Sequence, residues 1–156
     1  VVTVSSGGMY TAHLDSKDLN NKTMSKYDGA QAYAKDKRRQ VAMMERLAVI
    51  MGKQGVGVYT MHPGWTETDG VKKSIPGFYN FYKDKFRSLD QGVDTIVYLA
   101  LQDQAKLEPG GFYLDRSPSD KHLCLAGTQY TAKEVDQLFV AMKKLVMAKI
   151  PESRLL

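Results

Sequence analysis

A tyrosine, a lysine and a pair of serines carry the chemistry open to this sequence. Tyr33 and Lys37 stand four residues apart in Tyr33-Ala34-Lys35-Asp36-Lys37. On a helix that spacing sets both on one face, about one turn from each other. Upstream, Val1-Val2-Thr3-Val4 runs into Ser5-Ser6-Gly7, so the end of a strand can deliver a hydroxyl to the same face. A free tyrosine titrates near pH 10, which makes it an available acid but a reluctant base at neutral pH. An ammonium one turn away favours the phenolate and draws that pKa toward the working pH. A serine hydroxyl beside them holds a carbonyl or hydroxyl oxygen and stabilises charge developing on it. The set amounts to an acid–base site for a carbonyl or alcohol, with Ser5 and Ser6 both open as the hydroxyl.

The elements that must position these groups follow from pattern. Residues 1–5 read as a short strand buried on both faces, because a continuous Val/Thr run suits a parallel sheet. Residues 7–28 are glycine-rich and then polar, without a period, and read as a loop. From about Gly29 to Gly52 the spacing predicts a helix, with Val41, Met44, Leu47, Ala48 and Met51 as its apolar stripe. Lys35, Asp36, Arg38, Arg39 and Arg46 are expected to look outward. Val56–Met61 is a second strand, broken by His62-Pro63-Gly64, where the chain must leave the sheet. Residues 65–87 form an excursion rich in aromatics. Ser88 is an N-cap for a helix to about Gln102, with Val93, Ile96, Val97 and Leu101 expected inward. Residues 112–115 make a third strand, and Thr131-Ala132-Lys133-Glu134 is a capping box opening a helix over about 131–148, stopped by Pro151. Strand, helix, strand, helix, strand is the order of a doubly wound α/β sheet. One domain, 1–150, and a short tail, 151–156, account for the chain.

The totals exclude other classes. At 156 residues and 43% apolar, the chain can bury a real core. Its net charge of +5 is modest and scattered, with no basic stripe of the kind that binds nucleic acid. No run approaches the roughly 20 apolar residues that cross a bilayer. The single cysteine, Cys124, excludes an internal disulfide and fits a reducing, intracellular setting, with the cytoplasm as the expectation. It reads as a small buried hydrophobe. His62 has no second histidine or carboxylate at ligand spacing, so no metal is expected. A Tyr-x-x-x-Lys match alone is a weak signal, and Tyr79 to Lys83 supplies a second one; only Tyr33 has the strand, the serines and the long helix around it.

Three segments in order resemble the short-chain dehydrogenase/reductase family: Thr3-Val4-Ser5-Ser6-Gly7-Gly8, Tyr33-Ala34-Lys35-Asp36-Lys37, and His62-Pro63-Gly64-Trp65-Thr66-Glu67-Thr68. The resemblance implies NAD or NADP as cofactor, Ser6 rather than Ser5 as the catalytic serine, Tyr33 as general acid/base, and Lys37 as both pKa shifter and ribose ligand. It sets Pro63, Gly64, Trp65 and Thr68 on the nicotinamide side of that cofactor. It makes 69–87 the substrate-loop region, where Phe78, Tyr79 and Tyr82, with Ile75 and Phe81, would line an apolar pocket for a lipid, steroid or retinoid-like alcohol or carbonyl. The alternative is that these aromatics only pack a short helix onto the domain. The family's glycine-rich pyrophosphate turn and its catalytic asparagine have no counterpart here, and 9–28 is an insertion. The chain opens directly in a strand without Met, so the start of the protein is expected upstream. The expected fold is thus the C-terminal portion of a doubly wound Rossmann-like parallel sheet with flanking helices, its N-terminal nucleotide-binding half absent. Two functions compete: the catalytic half of an oxidoreductase, or a truncated, non-catalytic isoform or pseudoenzyme acting as a binding partner or homodimer through its helices.

Overall fold

Alternation along three short strands decides which helix each face of the sheet receives. In the computed structural model, which describes residues 1–148, strands β1 (Val2–Val4), β2 (Tyr59–Met61) and β3 (Phe112–Leu114) lie side by side and parallel. Val2 pairs with Tyr59 and Thr60 with Phe112. A fourth strand, β4 (Ser117–Pro118), closes a hairpin onto β3 antiparallel, and its proline sits at the edge, where a ladder donor is not missed. Parallel neighbours need crossovers. Helix α1 (Gly29–Gly52) makes the first, and α4 (Leu89–Leu101) lies within the second. Between β2 and α4 run two short helices, α2 (Asp69–Ser74) and α3 (Pro76–Tyr82).

Tyr59 and Met61 point to one face with Tyr113, where Leu99 of α4 and Leu107 join them. Phe112 points to the other, against Val41 of α1 and Met9. The sheet is therefore covered on both sides, as an α/β sheet requires. Helix α5 (Ala132–Met147) packs outside α1 through Val135 and Leu138 on Ala42. Both predicted caps are present: Ser88 exchanges bonds with Gln91, and Thr131 with Glu134. Each satisfies otherwise orphaned N–H groups of a first turn.

Several expectations are corrected. Strand β1 is not buried on both faces: Val2 and Thr3 are half-buried and Val4 is exposed. It is one edge of the sheet among the described residues, β4 being the other, whereas the inner β2 is buried throughout. Residues 7–11 form a 3₁₀ turn rather than loop. On α1, Arg38 is 0% and Arg39 5% exposed, not outward. On α4, Gly92, Thr95 and Leu99 face inward, while Val93, Val97 and Leu101 face solvent. A close approach causes this: a Cβ on Gly92 would lie 2.5 Å from Thr66 Oγ1, so the small face of α4 is the one that fits. Asp115 leaves the third strand for a left-handed turn, with φ of 49°. Cys124 is exposed, since it lies in the loop between β4 and α5. Pro151 and the 151–156 tail lie outside the described residues.

Candidate active site

Open α/β sheets bind ligands outside the C-terminal ends of their strands, and the candidate residues follow those ends of β1 and β2. At the end of β1 the two serines part company. Ser5 is buried, and its hydroxyl donates to the Lys37 carbonyl at 3.0 Å, tying β1 to α1. Ser6 caps the 3₁₀ turn, its Oγ accepting the Gly8 N–H at 3.1 Å. That bond engages a lone pair and leaves the Ser6 proton free to donate.

Tyr33 arrives from α1. The helix is started by Asp28, whose carboxylate accepts from the N–H groups of Ala30 and Gln31 at 2.9 and 3.1 Å, a cap that costs about 1 kcal/mol to lose. One turn later the Tyr33 ring reaches Gly8. A Cβ built on Gly8 would lie 3.5 Å from Ser6 Oγ and 3.5 Å from Tyr33 Cε1. The hydroxyl and the phenol ring thus flank one glycine, each at ordinary van der Waals distance from a methyl built there. Tyr33 is 49% exposed, open toward a ligand.

The Lys37 ammonium sits 5.5 Å from the centre of the Tyr33 ring. It donates to the Val4 carbonyl at 3.0 Å and to Gln40 Oε1 at 3.2 Å, so one of its three protons remains. Both acceptors are neutral, so neither forms an ion pair with the ammonium. Burial draws the Lys37 pKa below its ordinary value, opposed by the nearby Asp36 carboxylate. Gln40 was not singled out in the sequence; its spacing, three residues after Lys37, was the available signal. The second Tyr-x-x-x-Lys pair is set differently. Tyr79 donates to Glu67 at 2.8 Å, a bond that raises its pKa, and the ammonium over its ring is Lys72, not Lys83.

Past β2, the turn His62-Pro63-Gly64 places Gly64 at φ +74°, a conformation glycine takes without steric cost. Thr66 Oγ1 donates back to the Pro63 carbonyl at 3.1 Å. Thr68 caps α2 by accepting the Val71 N–H at 3.2 Å. The His62 ring lies against Gly7, where a Cβ would come 3.0 Å from Nε2. Its Nδ1 is buried without a partner, and burial and the Arg87 charge lower its pKa. Trp65 meets Phe78 edge to face and Tyr82 at a tilt, with ring centres 5.1 and 4.8 Å away. Trp65, Phe78 and Tyr82 pack on one another, while the Tyr79 hydroxyl turns to Glu67. Phe81 remains largely exposed.

Arg87 and Asp115 were missed by the sequence reading. The guanidinium donates two bonds to the carboxylate, one of them 2.8 Å long. At a sequence separation of 28, no local pattern announces the pair. Among the described residues, no cluster of three or more His, Cys, Asp or Glu side chains could hold a metal, and no helix is long and apolar enough to cross a membrane.

No protein-family model matches the chain. Over 146 residues, 93% of the chain, it is 40% identical to dehydrogenase/reductase SDR family member 12 of Homo sapiens. It is 39% identical to the Bos taurus protein of the same name over the same share. The match covers 45% of each of these relatives, so the chain spans a little under half their length. It is also 28% identical over 116 residues to a daunorubicin C-13 ketoreductase, DnrU, of Streptomyces sp. (strain C5), covering 74% of the chain and 39% of that protein. Among solved structures, an uncharacterized protein from Mycobacterium Paratuberculosis superposes with a TM-score of 0.65 at 23% identity. That match covers 97% of this chain and 51% of the other, and it speaks for the fold alone.

Proposed function

We propose that this chain, which belongs to the short-chain dehydrogenase/reductase family as a C-terminal portion, is the catalytic half of an NAD- or NADP-dependent oxidoreductase acting on a hydrophobic alcohol or carbonyl. The observation carrying this reading is the placing of Ser6 Oγ and the Tyr33 ring on either side of Gly8, with the Lys37 ammonium 5.5 Å from the ring centre. When bound, the nicotinamide supplies or accepts the hydride. The free Ser6 proton would hold the substrate oxygen and stabilise negative charge on it. Tyr33 would pass a proton to that oxygen in reduction and take it back in oxidation. Lys37 would set its positive charge beside the phenol and give its remaining proton to a ribose hydroxyl. Pro63, Gly64, Trp65 and Thr68 suit the nicotinamide end, and Phe78, Tyr79 and Tyr82 the substrate entrance. These residues fit one end of a dinucleotide. The pyrophosphate asks for a glycine-rich turn from strand into α-helix; among the described residues β1 leads into a 3₁₀ turn and β3 into a hairpin.

Tyr33→Phe removes the proton and little else, so turnover should fall by about 10²–10⁴-fold, with melting temperature and nucleotide affinity nearly unchanged. Near-normal turnover defeats the assignment. Lys37→Ala should lower both turnover and nucleotide affinity. The exposed apolar stripe of α4 favours a second reading, a non-catalytic binding or dimerisation partner. A nucleotide titration of the chain, followed by thermal shift, separates the two.

A further inference from the structure

Arg87 joins three segments at the rim of the site. Its backbone bridges both ends of the excursion: the Arg87 N–H donates to Trp65 O at 2.7 Å, and the Glu67 N–H to Arg87 O at 2.9 Å. Its side chain occupies the space beside Gly64, with Nε, Cζ and Cδ 2.6–2.8 Å from where a Cβ would stand. Its guanidinium grips Asp115 with two bonds.

Asp115 is at the tip of the β3–β4 hairpin, where Asp115 and Arg116 take φ of 49° and 62°. Two successive non-glycine residues in the left-handed region are uncommon, and such conformations persist where the surroundings over-determine them. Three contacts do so here: Arg87 on Asp115, Arg116 on Asp94, and the Arg116 N–H donating to Thr95 Oγ1 at 3.1 Å. Both members of the Arg87–Asp115 pair are substantially exposed, and exposed pairs contribute little to stability. Its geometry instead suits holding one loop against another.

We infer that Arg87 is a positioning residue: with Asp115 it latches the Pro63-Gly64 turn to the β3–β4 hairpin, and so fixes the backbone that meets the nicotinamide end of the cofactor. This rests on the proposed function for its consequence in turnover, but not for the latch itself. Trp65, the sole tryptophan, reports on the latch, since it follows Gly64, against which the Arg87 side chain lies. Arg87→Ala and Asp115→Asn should each shift Trp65 emission to the red and speed proteolysis within 67–86; the asparagine keeps a residue that tolerates the left-handed turn. Arg87→Lys should rescue in part, restoring the charge without the two-pronged grip. In turnover, the first two variants should raise the nucleotide KM about tenfold while kcat stays within about threefold. Unmoved Trp65 emission in both variants overturns the latch. A lower kcat at unchanged nucleotide KM overturns its positioning role. If Tyr33→Phe leaves turnover intact, the proposed function fails, while emission and proteolysis still decide the latch.

Discussion

Helix α1 carries two arginines in its buried half, whereas α4 turns Leu89, Val93, Val97 and Leu101 outward, 47–82% exposed. Hydrophobic patterning expects the reverse in both. On α1 the explanation lies in the loops packed against it. Backbone carbonyls shut away from water need donors, and irregular loops cannot supply them internally. Arg38 donates to Ala12 O, Lys121 O and Thr128 Oγ1 at 3.1, 2.6 and 2.9 Å, and lies over the Tyr130 ring. Arg39 donates to Asp15 O and Asp18 O at 2.9 and 2.7 Å and pairs with Asp36. Each guanidinium therefore staples a loop to the helix that carries Tyr33 and Lys37. On α4 the inner face is chosen by fit, Gly92 against Thr66 and Thr95 under the hairpin. Its apolar stripe is left without a partner among the described residues. A buried charge here marks surroundings supplied by this chain itself, and an exposed apolar stripe marks a surface able to accept another.

The comparison breaks first at Arg38. Arg38→Ala leaves three acceptors unsatisfied and a cavity behind, and should cost about 3–5 kcal/mol in denaturant unfolding. A loss below about 1 kcal/mol would mean that the loops at 12 and 121–128 do not depend on it. Next comes Gly92→Ala. The new methyl would collide with Thr66, an overpacking cost of about 1–3 kcal/mol against a helix-propensity gain of about 1 kcal/mol. A net loss near 1 kcal/mol is expected by thermal unfolding, and a net gain would show that α4 can shift away from the turn. The smallest effect belongs to the outer face. Leu101→Lys should change stability by no more than about 0.5 kcal/mol, while lowering self-association of the chain in analytical ultracentrifugation. A loss of 2 kcal/mol would place Leu101 in the core after all.

Within the candidate site, legibility followed the range of the interaction. The Tyr33–Lys37 spacing could be read because it lies within one helical turn, and the Pro63-Gly64 turn because its residue types restrict the backbone locally. Ser5 and Ser6 could not be told apart from the residues, since the difference is a bond from Ser5 to a carbonyl 32 residues later. Gln40 lay within reach of a spacing argument; Arg87 and Asp115 did not.

Chain order alone, with helical period and short-range caps, specified an α/β sheet, the span of α1 and the starts of α4 and α5. Those features rest on hydrogen bonds between near neighbours and on the periods of helix and strand. Folding added the sense in which α1 and α4 are rolled about their axes, the serine left free to donate, and the grip of Arg87 on Asp115. Each depends on an oxygen or a gap supplied from a distant segment, such as Thr128, 90 residues beyond Arg38, and close packing selects among faces that periodicity leaves equivalent.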